Sequence, residues 1–200
     1  MKKRCICAFI CACILFSVCI LPSSASENGV FRVAVIVDSD MLEGFASSEG
    51  VLRAFVEKIK ENAASATFYF DTEDIVESED LTAALIYLKV NGFRTGVFAT
   101  DSYGAHKFNI LIKYITKSAS RLALCEESSV QSLIDSGYSA IYDFDLVFSE
   151  NDKSDISFSA EGDTLVLFKL YDGSASDFEK LLEYALENGL ELRAVTEKTE

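Results

Sequence analysis

Histidine is almost absent from this sequence, which has one, His106, among 200 residues. A site that depends on several histidines is therefore excluded. His106 lies close to Asp101 in the chain and serines are plentiful, but no motif supports a Ser-His-Asp arrangement. We expect His106 to be a surface residue or a residue near the start of a helix.

Cysteine is missing from most of the chain. Five of the six cysteines lie before residue 20, and only Cys125 follows them. If the N-terminal segment is removed, Cys125 has no second cysteine with which to form an internal disulfide. The stability of the remaining chain must then come from packing, and burial is the expected role of Cys125.

Acidic residues are missing from the first 26 positions, which have the layout of a secretory signal peptide. A basic start (2–4) precedes an apolar run (5–21), and a proline and small residues follow. We therefore predict a signal peptide over 1–26 and export of one domain, 27–200, to the cell envelope or beyond. The apolar run is at the short end of the length that spans a bilayer, so an uncleaved N-terminal membrane anchor is the alternative.

Basic residues are outnumbered in the predicted domain. It holds 15 of the 18 Lys and Arg residues and all 32 Asp and Glu residues, a net charge of −17. Such a surface repels nucleic acid and anionic lipid. We expect no nucleic-acid partner and no stable membrane insertion after signal cleavage. The charge tolerates cations and cationic sugars, although solubility alone would also explain it.

Apolar runs alternate with amphipathic helices along the domain. The β-branched run 31–37 is typical of a buried parallel strand, and the apolar stripe over 51–59 is typical of a helix. Further strands are predicted at 66–70, 94–100, 121–125, 139–144, 164–170 and 190–195. This alternation predicts an α/β fold with about seven parallel strands, which fits a small or incomplete β/α barrel. A doubly wound open sheet is the alternative, and 148–163 is expected to be a polar surface excursion.

Carboxylates follow the predicted strands. They are Asp38, Asp40, Asp71, Asp101, Glu126, Glu127, Asp143, Asp145 and Asp172. In parallel α/β folds the carboxyl ends of the strands meet at one end of the domain, where chemistry is concentrated. We call this end, where Asp38, Asp71 and Asp101 lie, the mouth. Its oxygens could bind Ca²⁺ or Mg²⁺ weakly, or a protonated amino sugar.

Orientation and aromatic character refine this prediction. Asp38 and Asp40 share strand parity, so both would point the same way if the strand stays extended. Tyr69, Tyr103 or Tyr142 could stack a sugar at the mouth. Lys169 lies in an apolar strand, and we expect it to snorkel to the surface or to pair with an acid such as Asp172.

Several segments, in chain order, carry a resemblance to a known family. Residues 35–39 end a strand at an aspartate, 66–69 reads Ala-Thr-Phe-Tyr, 92–98 reads Gly-Phe-Arg-Thr-Gly-Val-Phe, and 136–138 reads Ser-Gly-Tyr. Together they resemble the polysaccharide deacetylases, the chitooligosaccharide-deacetylase homology domain of carbohydrate esterases. The match of 66–69 to the family's Ala-Thr-Phe-Phe strand is the most specific. The resemblance covers nearly all of 27–200.

The positions that carry this family's chemistry are mostly replaced. The resemblance places the catalytic base at Asp38, the metal-binding aspartate at Ser39, and the two metal-binding histidines at Phe98 and Ser102. Phenylalanine has no donor atom and serine is a poor Zn²⁺ ligand, so no metal is expected at these positions. Asp40 could replace Ser39 only with a shift in register. Without a metal, nothing would lower the pKa of an attacking water or polarise an acetyl carbonyl.

These observations favour an exported, catalytically inactive polysaccharide-deacetylase-like protein that binds an envelope glycan or a partner protein at the mouth. The predicted ligand-contacting residues are Asp40, Asp71, Asp101, Asp143, Tyr69 and Tyr103. No cofactor is expected beyond a weakly bound divalent cation. An active metal-dependent carbohydrate deacetylase with an oxygen-rich site at Asp38, Asp40 and Asp101 is the second interpretation. A scaffold subunit without a ligand site is the third.

Overall fold

The computed structural model describes residues 29–151 and 163–196, so the predicted signal peptide lies outside the described residues. The strands are β1 (Val30–Val37), β2 (Thr67–Asp71), β3 (Arg94–Phe98), β4 (Leu122–Leu124), β5 (Ser139–Ile141), β6 (Leu146–Phe148), β7 (Asp163–Lys169) and β8 (Glu191–Ala194). The α-helices are α1 (Ser39–Leu42), α2 (Val51–Glu61), α3 (Glu79–Val90), α4 (Ser102–Thr116), α5 (Val130–Asp135) and α6 (Ser174–Glu187). A 3₁₀ helix at Glu127–Ser129 precedes α5.

All strand pairings among the described residues are parallel, and β1 pairs with three other strands. Seven strands follow the order β5-β4-β3-β2-β1-β7-β6. One edge of β1 pairs with β7 along almost its whole length. The other edge is shared, because Val30 to Val33 pair with β8 and Ala34 to Val37 pair with β2.

A short connection forces this sheet to curl. Residues 142–145 lead directly from β5 to β6, the two outer strands of the path. The chain from Ile141 to Leu146 reaches at most about 18 Å. Seven strands laid flat would hold β5 and β6 roughly 29 Å apart. The sheet therefore curves into an incomplete β/α barrel, which confirms the predicted fold class over the open-sheet alternative.

Alternating side chains on the strands divide the core into two parts. One side of the sheet packs against the helices, where the ring of Phe55 on α2 lies 5.2 Å from Phe168 and 5.5 Å from Phe178 between centroids. The other side fills the barrel interior, with Ala34 and Leu167 among its buried residues. Burying a side chain such as Phe55 contributes about 1.5–3 kcal/mol, so the two clusters hold the strands in place, and the described residues include one cysteine, which is free.

Most predicted elements are present, and the differences are local. The surface excursion predicted over 148–163 was wrong at its start, because Phe148 is buried on β6 and stacks on Phe168 with centroids 4.8 Å apart. Polar residues flank Leu146–Phe148 on both sides, at Asp145 and Ser149, so this short apolar run was not recognised as a strand. Cys125 is buried and His106 is exposed on α4, as expected. No helix among the described residues has the length and apolar character needed to cross a membrane.

Candidate ligand site at the mouth of the barrel

The first strand ends at Asp38, whose side chain caps a short helix. Oδ1 of Asp38 accepts a hydrogen bond from the backbone N–H of Met41 at 3.0 Å, and α1 begins at the next residue. Asp40 therefore lies in a helical turn, where it is exposed. The expectation that Asp38 and Asp40 point the same way required an extended backbone, and the structure does not meet that condition.

The surroundings of Asp38 raise the pKa of its carboxyl group. Burial raises its pKa, while the hydrogen bond from Met41 acts in the opposite direction. The negative charges of Asp40, Asp74 and Asp71 raise the pKa further. The side of the mouth formed by the ends of β1 and β2 is thus strongly negative.

Ser39, the position of the metal-binding aspartate in the resemblance, is engaged in a different contact. Its backbone N–H and its hydroxyl both donate to Oδ2 of Asp74, at 3.1 and 2.6 Å. These two bonds lower the pKa of Asp74. Oδ1 of Asp71 accepts the backbone N–H groups of Glu73 and Asp74 at 2.8 and 3.4 Å, which shapes the same loop. The loop after β2 is therefore fastened to the end of β1.

Sequence reasoning missed Asp74, which is the partner of Ser39. The available signal was the spacing of Asp71 and Asp74, which is typical of a turn in which an aspartate accepts from the backbone after it. That signal locates a turn, but it does not identify Ser39 as the partner, 35 residues away.

Phe98 occupies the floor of the mouth. It is the last residue of β3, in register with Asp71 on β2 and Leu124 on β4. Its half-buried side chain packs against the apolar cluster of the barrel interior. Other partly buried members of this cluster are Ile36, Ile141, Phe144, Val147 and Leu165. The floor is therefore apolar where the resemblance would place a histidine.

Tyr69 lies inside the barrel beneath this floor. Its side chain is fully buried, and a Cβ on Gly96 would lie 2.7 Å from its ring, so the ring occupies space that only glycine leaves free. Burial raises the pKa of Tyr69, and its hydroxyl has no hydrogen-bond partner among the described residues. The expectation that Tyr69 stacks a sugar at the mouth is wrong in this structure, because its strand parity directs it inward.

After β3, the first turn of α4 lies at the edge of the mouth, which we call the rim. Oδ1 of Asp101 accepts the backbone N–H of Gly104 at 2.6 Å and thereby caps α4. Ser102 begins the helix. Tyr103 follows with 77% of its surface exposed, so its ring is free to contact a ligand.

The link between β5 and β6 carries Tyr142 and Asp143, and both are exposed. Asp145 has a structural contact, since its N–H donates to the carbonyl of Leu165 at 3.0 Å and its Oδ2 accepts from the N–H of Leu165 at 2.7 Å.

Lys169 ends β7 opposite Ile36 and is exposed. It forms no ion pair with Asp172 or with any other described residue, which corresponds to the predicted snorkelling.

The donor atoms present do not fit the metal site that the resemblance implies. Ser39 is bound to Asp74, Phe98 presents an apolar ring, and Ser102 is a helix-start serine. Asp38 and Asp101 each accept a backbone N–H at a helix start. Across 29–151 and 163–196, no group of three His, Cys, Asp or Glu side chains is arranged to hold a metal ion.

Comparisons with known proteins agree with this architecture. No protein-family model and no curated protein matches the chain. Among solved structures, the polysaccharide deacetylase Bc1974 from Bacillus cereus matches with a TM-score of 0.66 over 86% of this chain and 94% of that one, at 12% identity. The chitin deacetylase from the fungal pathogen Colletotrichum lindemuthianum matches with a TM-score of 0.65 over 86% of each chain, at 15% identity. This chain has the polysaccharide-deacetylase fold.

Proteins with this fold include a pseudoenzyme. BA3943 from Bacillus anthracis, a CE4 family pseudoenzyme, matches with a TM-score of 0.64 over 85% of this chain and 65% of that one, at 13% identity. A BA3943 mutant with restored enzymatic activity matches with a TM-score of 0.67 over 85% of this chain and 67% of that one, at 12% identity. At these identities the likeness shows the fold, and the resemblance seen in the sequence is confirmed at that level.

Proposed function

We propose that this chain is an exported, non-hydrolytic protein with the polysaccharide-deacetylase fold that binds a cell-envelope polysaccharide at the mouth. The observation that carries the proposal is Phe98, an apolar ring packed on the floor where the family's chemistry needs a metal-binding histidine. Export is supported by the signal-peptide pattern of residues 1–26.

The absence of hydrolysis is argued from the residues at the mouth. Amide or ester hydrolysis needs a group that polarises the acyl carbonyl and stabilises the developing oxyanion. Asp38 could accept a proton from water, and its raised pKa suits a base. The neighbouring Asp40, Asp71 and Asp74 carboxyl groups are acidic, and they would repel an oxyanion rather than stabilise it.

Sugar binding is supported by the combination of an apolar floor and an acidic rim. Phe98 and Phe144 offer partly exposed ring surface on which the apolar face of a sugar can lie. Asp40 and Asp143 are exposed and can accept hydrogen bonds from sugar hydroxyls or from a protonated amino group. Tyr103 adds an exposed ring at the rim. The negative charge favours neutral or cationic sugars over anionic ones.

Binding can be tested with the full-length chain by isothermal titration with chitooligosaccharides, partially deacetylated chitosan oligomers and soluble peptidoglycan fragments. We expect Phe98→Ala and the double variant Asp40→Asn, Asp143→Asn each to weaken binding. Glu183→Gln, an exposed carboxylate change on α6, serves as the control and should leave binding unchanged. If none of these glycans binds, the scaffold interpretation replaces the proposal.

Hydrolysis is tested separately by acetate release from acetylated chitooligosaccharide and peptidoglycan. We expect no release above the buffer rate, with and without added Zn²⁺, Co²⁺ or Mg²⁺. Acetate release that is abolished by a chelator and by Asp38→Asn would establish the active-deacetylase alternative.

A further inference from the structure

One long segment of this acidic chain is nearly free of acidic residues. The whole sequence has 18 Lys and Arg against 32 Asp and Glu, but from Leu81 to Cys125 there are six basic residues and a single acidic residue, Asp101. The six are Lys89, Arg94, Lys107, Lys113, Lys117 and Arg121. A strongly acidic protein therefore contains one stretch with a clear positive excess.

None of these six side chains forms an ion pair with an acidic residue in the described part of the chain. Six of the seven described basic residues outside the segment are paired with acids, namely Arg32, Arg53, Lys58, Lys60, Lys180 and Arg193, and the exception is Lys169. Glu77 lines a surface groove with Lys107, yet the two form no ion pair. Lys89 and Lys117 donate to neutral groups, the Ser118 hydroxyl and the Tyr114 carbonyl, both at 2.7 Å, so no acidic residue of the described part neutralises the charges of the segment.

Helix α4 presents half of these charges beside exposed aromatic and aliphatic side chains. We call this set the α4 stripe, and its members are Tyr103, Lys107, Ile110, Lys113, Tyr114 and Lys117. Apart from the adjacent Lys113 and Tyr114, a spacing of three or four residues places them along one side of the helix. Tyr103, Ile110 and Tyr114 are 77%, 58% and 70% exposed, and the three lysines are also exposed. The stripe is about 21 Å long.

The fold does not need this surface for its own packing. The opposite side of α4 contributes Ala105, Phe108 and Ile112 to the core. Lys113 and Lys117 lie at the end of the helix, where positive charge suits the helix dipole. That effect accounts neither for Lys107 near the middle of the helix nor for the exposed tyrosines.

We infer that the α4 stripe binds a linear anionic polysaccharide, a polymer with carboxylate or phosphate groups along its length. Lysine ammonium groups meet the anions, and the Tyr103 and Tyr114 rings lie against sugar faces. Lys117 already places its Nζ 5.0 Å from the centroid of the Tyr114 ring, so cation and ring surface are adjacent.

The charge distribution favours a thin polymer over a membrane. A polymer strand lying on α4 contacts the stripe alone. A planar anionic membrane would also come within a screening length, about 10 Å, of acidic surface on a chain whose net charge is −14. Tyr103 is the one residue that the α4 stripe shares with the rim of the mouth, and the three lysines lie farther along α4, so polymer binding by these lysines does not depend on the proposed function.

The test measures binding of the full-length chain to polygalacturonate, which carries carboxylates, to phosphomannan, which carries phosphates, and to neutral dextran. We expect binding to at least one anionic polymer and none to dextran. The triple variant Lys107→Ala, Lys113→Ala, Lys117→Ala should weaken binding roughly tenfold, since each exposed charge contact contributes modestly. The matched control is Lys58→Ala, Lys60→Ala, Lys180→Ala, which changes the net charge equally and should bind as the wild type does.

Two further measurements distinguish a polymer site on α4 from a net-charge effect and from membrane binding. Tyr114→Ala, which leaves the rim residue Tyr103 in place, should weaken polymer binding without changing its salt dependence, and Asp40→Asn with Asp143→Asn at the mouth should have no such weakening effect. Equal losses in both lysine triple variants would reduce the effect to net charge and overturn the inference. The inference would also be overturned if no polymer bound and the chain were instead retained on anionic, but not neutral, phospholipid vesicles in a manner that depends on Lys107. Melting curves verify that each variant is folded.

Discussion

Ser39 donates both its backbone N–H and its hydroxyl to one carboxylate oxygen, Oδ2 of Asp74, at 3.1 and 2.6 Å. This pair joins the end of β1 to the loop after β2. Ser39 is also the residue at which the family resemblance would require a metal-binding aspartate, and these bonds engage its hydroxyl. The position that would take part in chemistry is used here to hold two loops together.

Asp74→Asn should remove a pH-dependent part of the stability. The folded-state pKa of Asp74 is lowered by the bonds from Ser39, so its contribution is present above the unfolded-state pKa, near 3.9. The contribution is lost as the pH falls through the lower folded-state pKa. Thermal melts from pH 2 to 7 should show a difference between wild type and Asp74→Asn that shrinks below about pH 4. Asp172→Asn, an exposed carboxylate, should show no such trend, and a constant difference for Asp74→Asn would contradict the assignment.

Asp38 has the opposite sign, because burial raises its pKa. Its ionisation therefore costs stability as the pH rises above the unfolded-state value near 3.9. Asparagine caps helices about as well as aspartate, so Asp38→Asn should gain stability relative to wild type at pH 7, and this gain should vanish near pH 3. Asp38→Ala loses the bond to Met41 and should be less stable than Asp38→Asn by about 1 kcal/mol. Denaturant titrations at both pH values measure these differences, and a gain independent of pH would contradict the buried-charge explanation.

Tyr69→Phe should not destabilise the protein. The hydroxyl is buried without a hydrogen-bond partner among the described residues, and an unsatisfied buried polar group costs about 1–3 kcal/mol. Removing the oxygen while keeping the ring should leave the unfolding free energy unchanged or raise it. Tyr138→Phe is the comparison, since the Tyr138 hydroxyl contacts Asn109 at 3.4 Å. A clear loss of stability in Tyr69→Phe alone would mean that its hydroxyl has a partner.

Three substitutions should create a metal site at the mouth. Ser39→Asp, Phe98→His and Ser102→His together supply the donor types that the resemblance implies, and Zn²⁺ prefers such nitrogen and oxygen ligands. We expect the triple variant to bind one Zn²⁺ at least about tenfold more tightly than the wild type in a competitive chelator titration. Ser102→His alone is the control. If the triple variant binds no better than this control, the three positions do not converge as the resemblance implies.

Much of the secondary structure was predictable because it depends on local pattern. The run from Phe31 to Val37 and the stripe containing Leu52 and Phe55 repeat with the periods of a buried strand and an amphipathic helix, and both are present. Leu146–Phe148 was missed, because Asp145 and Ser149 flank this short apolar run and its pairing with β7 is a long-range contact.

The candidate site was predictable only in its residue types. Asp38, Asp71 and Asp101 do lie at strand ends, but each accepts backbone N–H groups of the turn or helix that follows. That role is local and was open to prediction from helix-start and turn spacing. The full burial of Tyr69 was not, because it depends on a contact between strands: Gly96 of β3 has no side chain and leaves room for the ring.

The sequence by itself determined which side chains are present at the family's metal-binding positions: a phenylalanine at 98 and serines at 39 and 102. It also determined that the chain has one histidine and a stretch around α4 that is nearly free of acids. It also determined the alternation of strands and helices, since these follow from neighbours a few residues apart. The tertiary structure alone decided that the sheet curls, that Ser39 meets Asp74, that Phe98 forms the floor, and that the α4 stripe remains exposed. These depend on contacts between segments distant in the chain, whose positions are set by strand order and register.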